Sequence, residues 1–312
     1  MASAYCETDA MARMMTATRA ENDGTFTPSD WGLFLGISVI WGASFLLIAE
    51  ALEGLTPGVI TLGRVGLGAV TLWGLRLARG RQGGIEPQDW GRIVALSLLW
   101  VAIPFTLFPL AQEHINSAVT GLLNGATPVF AAIISVLFVK VVPKGVQLWG
   151  LAVGFGGVVL ISFASSGSGT TQLLGVILVL AATGCYGISL NIAPPLQAKY
   201  GAVTLMSAVL TLATLWVLPF GLVSLGDSTW SVLPVLAVVA LGAIGTGFAY
   251  WIMSSLVGRV GGIRASFITY LIPVVSLVLG VAIRGDVVRP LAIVGAVMTI
   301  LGAFFASRRS RT

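Results

Sequence analysis

Residues 117–137 of this chain read SAVTGLLNGATPVFAAIISVL and carry no charge. As a helix rising about 1.5 Å per residue, the stretch would span roughly 30 Å, the thickness of a bilayer's hydrocarbon core. Pro128 lies inside it and frees the carbonyl group of Asn124, which lipid cannot satisfy. We therefore predict that its polar residues, which share one helical face, line a protein-enclosed pathway: Ser117, Thr120, Asn124, Thr127 and Ser135.

The same stretch has a second copy later in the chain. A shift of 145 residues, from 117 to 262, sets it without gaps on residues 262–282, with Pro128 over Pro273 and Asn124 over Thr269. The shift also sets WGASF (41–45) over YGISL (186–190), and the glycines at 150 and 157 over those at 295 and 302. One constant offset along the chain indicates an internal duplication in which each copy is half of the protein.

The composition places the chain in a membrane. Of its 312 residues 56% are hydrophobic and only 9% charged, with a mean hydropathy of +0.97, whereas soluble proteins average about 25% charged residues. The net charge of +5 does not indicate nucleic acid, because the basic residues collect in loops between apolar runs. The two cysteines lie in unlike surroundings, so no disulfide framework is predicted. We expect an all-α integral membrane protein.

Apolar runs predict ten transmembrane helices, and basic residues predict their direction. Fourteen of the 17 Lys and Arg residues fall in the tails or in alternate loops, which puts both termini on the cytoplasmic side of the inner (plasma) membrane. The predicted spans lie at about 31–49, 57–77, 91–110, 117–139, 146–163, 173–193, 203–224, 231–256, 263–283 and 290–306.

Each copy holds five spans, an odd number, so the second copy must enter the bilayer upside down relative to the first. This inverted-repeat plan is typical of secondary transporters that work by alternating access, with the substrate bound near the midplane. We predict a disordered cytoplasmic tail over 1–30, a first five-helix repeat over 31–163 and a second, inverted repeat over 173–307. A receptor or a lipid-embedded enzyme would need an output domain or a reactive constellation, and the sequence indicates neither.

With these residues the chain resembles a known family. The Trp-Gly-x-x-Phe motif at 41–45, the prolines of spans four and nine, the glycines of spans five and ten and the five-plus-five duplication are similar to the EamA branch of the drug/metabolite transporter superfamily. The resemblance covers roughly residues 31–307. Many members have an acidic residue just after span four, where this chain has Lys140 and Val141. Within the branch the chain is most similar to YddG-type exporters of aromatic and other amino acids.

Several polar and aromatic residues are candidates for binding a substrate. Trp41 and Ser44 form a stripe in span one, and the shift places Tyr186 in the matching stripe of span six, so both stripes are predicted to face one cavity. The alternative is ordinary packing, with hydroxyls bonded to their own helix. Trp100 and Tyr250 lie too deep for the interfacial anchoring that is usual for aromatic residues.

The two proline breaks and one arginine complete the set of candidates. Asn124 and Thr269 flank the predicted hinges Pro128 and Pro273, and either a ligand or a neighbouring helix could take up their polar groups. Arg64 is the one charged residue clearly inside a predicted span. Its guanidinium could hold a substrate carboxylate in a bidentate pair, or it could extend to water at the membrane surface.

The predicted spans hold no central Asp or Glu, which argues against selection of cationic drugs and against coupling to protons through a buried acid. The sequence therefore predicts a carrier, not an enzyme, that exports small zwitterionic metabolites, above all aromatic or broadly neutral amino acids. A multidrug or sugar-type exporter on the same scaffold is the alternative. No metal site or cofactor is predicted. The expected partners are the small-molecule substrate and the lipid bilayer, with no nucleic acid, and a monomer suffices.

Overall fold

A computed structural model describes residues 27–78, 80, 83–135, 137, 145–165 and 170–306, and within them all regular secondary structure is helical. We number the helices α1 to α10 after the ten predicted spans. Where a span consists of two or three helical segments, all of its segments share one number. The bounds are α1 Pro28–Leu52; α2 Pro57–Ala78; α3 Trp90–Leu96, Ser97–Ala102 and Ile103–Gln112; α4 Ser117–Asn124 and Thr127–Ile134; α5 Val146–Ser165; α6 Thr170–Tyr200; α7 Ala202–Val223; α8 Val232–Val239, Ala240–Phe248 and Ala249–Val260; α9 Gly262–Ala265 and Ile268–Arg284; α10 Pro290–Ala306.

The length and the apolar composition of these helices indicate that they span a membrane. In the described chain, α1 to α8 are each long and apolar enough to cross a bilayer, and α10 and the long segment of α9 are apolar helices of 17 residues. Large apolar side chains such as Trp149, Phe163 and Val223 are more than 70% exposed, as expected for side chains that face lipid. The prediction of an all-α integral membrane protein is confirmed. Most of the predicted tail, residues 1–26, lies outside the described residues. The predicted tail boundary at residue 30 is too late, because Thr27 caps α1 and residues 28–30 form its first turn.

Sequence-equivalent helices pack against each other in antiparallel directions, which shows that the two copies are inverted. In the α5–α10 pair, a Cβ on Gly150 would lie 2.5 Å from the backbone nitrogen of Ala306, whereas Gly157 meets Gly295 at the other end. The backbones approach this closely because glycine has no side chain. Helix α5 therefore runs opposite to α10, its own equivalent under the 145-residue shift.

Two more equivalent pairs repeat this arrangement. Helix α4 crosses α9 with Gly121 against Ser276 and Gly125 against Pro273, and α2 likewise runs antiparallel to α7. The contacts of α1 and of its equivalent α6 also correspond under the shift. Helix α1 packs on α8 and α9, and α6 packs on their equivalents, α3 and α4. The two halves thus contribute equivalent helices to the centre of the bundle.

Polar contacts between the halves close one end of the bundle, which we call the Arg284 face. It is formed by the loops α1–α2, α3–α4, α7–α8 and α9–α10. The Arg284 guanidinium donates to Glu50 at 2.6 Å and to Glu53 at 2.7 Å. The Asp286 carboxylate accepts the Ala118 N–H at 2.9 Å and the Ser117 hydroxyl at 2.6 Å at the start of α4, where the helix dipole favours a negative charge.

A small polar cavity lies beneath these contacts. It encloses about 180 Å³ and is lined by residues that include Gln112, Arg284 and Asp286. Both amide atoms of Gln112 are buried there, and no described residue bonds to either one. Arg284 and Glu53, which form one of these ion pairs, therefore belong to the wall of this cavity.

The opposite end, which we call the Lys199 face, is also tied together by charged groups. Lys199 donates to Glu86 at 2.6 Å and to Asp89 at 2.9 Å, and Tyr200 donates to the same Asp89 oxygen at 2.5 Å. Described basic residues of the loops α2–α3, α6–α7 and α8–α9 collect here, as the charge pattern predicts. The basic residues predicted for the tails and for the α4–α5 loop, including Lys140 and Lys144, lie outside the described residues.

The α5–α10 contact predicts opposite outcomes for two adjacent glycines. Gly157→Ala should lower the unfolding temperature markedly, because the new methyl group would press on the α10 backbone and overpacking destabilises by about 1–3 kcal/mol. Gly156→Ala is the matched control, since its Cβ would lie 3.6 Å from the flexible end of Met298. Size-exclusion thermostability of the detergent-solubilised protein measures both, and equal unfolding temperatures for the two variants would contradict this packing.

The Arg284 face predicts an accessibility change. Arg284→Gln should speed maleimide labelling of a Gln112→Cys variant about 5–30-fold in a Cys6→Ser, Cys185→Ala background, because the lost pairs are worth about 1–2 kcal/mol, chiefly through the less exposed Glu50. The control is Arg289→Gln, an exposed arginine of the same loop. Labelling that is already fast with Arg284 intact would show that this face is open.

Candidate functional site

Both halves carry a π-helical segment at the same register, at Ser97–Ala102 in α3 and Ala240–Phe248 in α8. The 145-residue shift sets residues 97–102 over 242–247, inside the second segment. Such segments insert an extra residue into a helical turn and are frequent at functional sites. Sequence periodicity did not reveal them, because both segments are apolar almost throughout and offer no continuous polar face that an extra residue would displace. They lie on the two helices that carry Trp100 and Tyr250.

Three predicted aromatic residues from separate helices converge beside these segments. The Tyr250 ring packs edge-on against Trp41 of α1, with centroids 5.8 Å apart, and against Trp100 of α3, with centroids 6.2 Å apart. Tyr186 of α6 packs on Phe108 at 5.9 Å. Aromatic rings in edge-on contact offer apolar faces and edges that suit an aromatic or apolar ligand. We call Trp41, Trp100 and Tyr250 the aromatic cluster.

Arg64 lies inside the helix bundle and does not extend to the membrane surface. Its side chain is only 7% exposed, and the guanidinium carbon lies 3.8 Å from the centroid of the Phe105 ring. The guanidinium Nε donates to the Thr246 hydroxyl at 3.3 Å. The phenol groups of Tyr186 and Tyr250 lie near it. The sequence left open whether this arginine reaches water, and the structure places it in the interior.

The charge of Arg64 is left without an anion in the described part of the chain. No described carboxylate pairs with it, and its two terminal nitrogens bond to no described residue. A cation–π contact supplies about 0.5–2 kcal/mol, whereas desolvating a buried ion costs several kcal/mol. The contact with Phe105 therefore offsets only part of the cost of burial. An anion that enters this site would supply the rest.

The hydroxyl groups of the predicted stripes bond mainly to their own helices. Ser44 is buried and donates to the Ile40 carbonyl at 3.2 Å, and Ser189 donates to the Cys185 carbonyl at 2.9 Å. These are the bonds expected from ordinary helix packing. Ser44 nevertheless lies beside the π-helical segment of α8, since a Cβ on Gly245 would lie 3.5 Å from its oxygen.

Helix α4 is interrupted next to its proline. The first segment ends at Asn124, and Pro128 lies in the first turn of the next segment, where a missing N–H does no harm. The Asn124 carbonyl accepts the Thr127 hydroxyl at 2.8 Å, so the backbone group freed by the proline is satisfied locally. The Asn124 side-chain oxygen is buried, and no described residue bonds to it.

The second copy differs at the equivalent place. Helix α9 is interrupted earlier, between Ala265 and Ile268, and Pro273 lies inside the continuing segment. The Thr269 hydroxyl donates to the Ser266 carbonyl at 2.8 Å. No hydrogen bond or ring contact among the described residues links Asn124 or Thr269 to the aromatic cluster. The structure thus brings together Trp41, Trp100, Tyr250 and Arg64, with Ser44 and Tyr186 beside them, and leaves the two proline-flanking residues apart.

Two contributors to this site were not among the predicted residues. Phe105 supplies the ring against Arg64, and Thr246 supplies the hydroxyl that accepts its Nε–H. The internal duplication could have indicated Phe105, because the 145-residue shift pairs it with the predicted site residue Tyr250. A spacing of four residues from Tyr250 marked Thr246 as a polar position of the same helix, but nothing in the sequence indicated its bond to Arg64, 182 residues away. Among the described residues no three His, Cys, Asp or Glu side chains converge as metal ligands would.

Comparison with known proteins places this fold among transporters. The model of the EamA-like transporter family matches the chain twice, over residues 31–163 and 173–308. An "Uncharacterized transporter" of Archaeoglobus fulgidus is 26% identical over 86% of this chain and 95% of its own length. A "Probable terminal-alkyne amino-acid exporter" of Streptantibioticus cattleyicolor is 26% identical over 90% of this chain and 93% of its own.

Solved structures include the same fold. One crystal structure superposes with a TM-score of 0.63 at 18% sequence identity, and the match covers 89% of this chain and 97% of that one. At that identity the likeness concerns the fold alone. Because the family model covers most of the sequence in two successive matches, this chain belongs to the EamA-like transporter family and is a multi-pass membrane transporter.

Proposed function

We propose that this transporter exports small zwitterionic metabolites, above all aromatic or broadly neutral amino acids, by alternating access. The observation that carries the proposal is Arg64, a buried cation that lacks an anionic partner in the described chain and lies beside the aromatic cluster. A guanidinium binds a carboxylate through two parallel hydrogen bonds, and the rings accommodate an apolar side chain. The name of the Streptantibioticus relative is consistent with this class of substrate.

The same observation separates this proposal from its alternatives. A buried positive charge repels the cationic compounds that many multidrug exporters carry, and a sugar has no carboxylate to neutralise it. The substrates of a multidrug or sugar-type exporter would therefore not neutralise the buried charge of Arg64. The YddG-type exporters of aromatic amino acids, which the sequence resembles, remain the narrower model for this chain.

The inverted halves support the transport mechanism. Equivalent helices pack antiparallel, so rocking one half against the other exchanges two mirror-related states, open at the Arg284 face or at the Lys199 face. The two family matches support a division into repeats at 31–163 and 173–307. The basic residues of the alternate loops support a cytoplasmic location of the Lys199 face and of both termini at the inner membrane.

The position of the acidic residues supports transport without proton coupling. Every described Asp and Glu lies near a helix end or in a loop: Asp30, Glu50, Glu53, Glu86, Asp89, Glu113, Asp227 and Asp286. A buried acid that takes up and releases a proton during the cycle is thus absent from the middle of the described helices. The substrate then moves down its own gradient.

Arg64→Gln should reduce phenylalanine uptake into proteoliposomes about 10–100-fold, because a hydrogen-bonded charge contributes about 1.5–3 kcal/mol. Discrimination between phenylalanine and phenylalaninamide, which lacks the carboxylate, should fall by the same factor. Arg289→Gln is the control, since that arginine is exposed at the Arg284 face. Wild-type protein that carries neither compound, or a variant that keeps its preference for the carboxylate, would overturn the proposed role of Arg64.

Imposing a pH gradient of one unit across the same vesicles should leave the initial rate of phenylalanine uptake unchanged. The reason is the absence of a titrating carboxylate from the middle of the described helices. Collapsing the gradient with an ionophore provides the reference rate. Uptake that occurs only while the gradient is present would contradict the uncoupled mechanism and leave the substrate class untouched.

A further inference from the structure

The hydroxyl group of Thr246 occupies an unusual position between two partners. It accepts the Nε–H of Arg64 at 3.3 Å and donates to the Leu241 carbonyl at 2.9 Å, five residues back along α8. Other threonine hydroxyls in these helices, such as those of Thr71 and Thr106, donate to the carbonyl four residues back. The five-residue reach matches the hydrogen-bond spacing of a π-helix. The π-helical segment of α8 therefore sets where this hydroxyl points.

Close packing of α2 on α8 holds the two side chains together. A Cβ on Gly68 would lie 2.7 Å from the Thr246 methyl group, and one on Gly242 would lie 3.0 Å from the Arg64 carbonyl oxygen. The absence of both Cβ atoms lets the helices approach until the arginine reaches the hydroxyl. The contact with Arg64 thus depends on the register of α8 against α2.

Two contacts fix the plane of the Arg64 guanidinium. The Nε–H is held by the Thr246 hydroxyl, and the guanidinium carbon lies 3.8 Å from the centroid of the Phe105 ring. A planar group with these two contacts has little rotational freedom left. Its terminal nitrogens, which bond to no described residue, are the pair that a carboxylate engages in a bidentate fashion.

The other half of the protein achieves the same packing without these polar groups. Under the 145-residue shift, Arg64 corresponds to Val209 and Thr246 to Val101, and both valines are fully buried where α7 packs on the π-helical segment of α3. Two valines therefore satisfy the structural needs of this helix contact. Helix packing alone therefore does not explain Arg64 and Thr246 in the contact of α2 with α8.

We infer that Thr246 is a positioning residue, which orients Arg64 so that its terminal nitrogens receive the carboxylate of one substrate molecule. The inference rests on the proposed function, since it assigns the carboxylate end of an amino acid to a defined place. Because the second half has valines at the equivalent positions, these two symmetry-related helix contacts hold one such place between them. Substrates with a single carboxylate fit it, and a second carboxylate would find no matching arginine.

The test compares Thr246→Val, which has the shape of threonine without its hydroxyl, with Thr246→Ser, which keeps the hydroxyl. Thr246→Val should raise the KM for phenylalanine uptake into proteoliposomes at least about tenfold, with a smaller change in kcat, because it releases a hydrogen-bonded cation. Thr246→Ser should restore the KM to within about threefold of the wild type. Thr106→Val, which removes a hydroxyl bonded to its own helix, is the matched control and should leave the KM unchanged.

A double-mutant cycle separates positioning from structure. In an Arg64→Gln background, Thr246→Val should cause no further loss of discrimination between phenylalanine and phenylalaninamide, because there is no guanidinium left to orient. If Arg64→Gln removes discrimination but Thr246→Val does not, the inference is wrong and the proposed function stands. Equal impairment by Thr246→Val and Thr246→Ser would likewise overturn it.

Discussion

The structure depends on the contact between helices that are copies of each other yet run in opposite directions. Glycines at 150, 154 and 157 of α5 meet those at 295 and 302 of α10 with their backbones almost touching, and α4 crosses α9 through further glycines. In a bilayer, where apolar surface gains little from leaving lipid, this backbone proximity is the main source of attraction between helices. It imposes a two-fold relation on the halves and places a shared interior between them.

Within that symmetric frame, the chemistry is asymmetric. Arg64 and Thr246 face each other in the contact of α2 with α8, while valines occupy both equivalent positions in the contact of α7 with α3. The Arg284 face is likewise closed by a charged cluster whose Asp286 corresponds to Val141, outside the described residues. In the proposed alternating-access mechanism, symmetry supplies the two states, and these unmatched residues supply the selectivity and the closure at one face.

Most of the fold was predictable because hydropathy, charge and duplication are properties of the chain itself. The spans, their grouping into inverted halves and the collection of basic residues at one face follow from run lengths, an odd number of spans and the positions of Lys and Arg. Convergence of Trp41, Trp100 and Tyr250 was in part predictable from their depth. The π-helical segments and the early interruption of α9 were not, because side-chain packing decides where a helical turn takes an extra residue or stops.

The sequence by itself determined that this protein spans a membrane as two inverted copies of one unit, since 20-residue apolar runs and a repeat offset need no knowledge of contacts. Only the tertiary structure decided whether the Arg64 side chain is buried in the bundle or extends to water. Its surroundings, Phe105 and Thr246, come from helices far apart in the chain, and the glycine contacts that admit them exist only once those helices have packed.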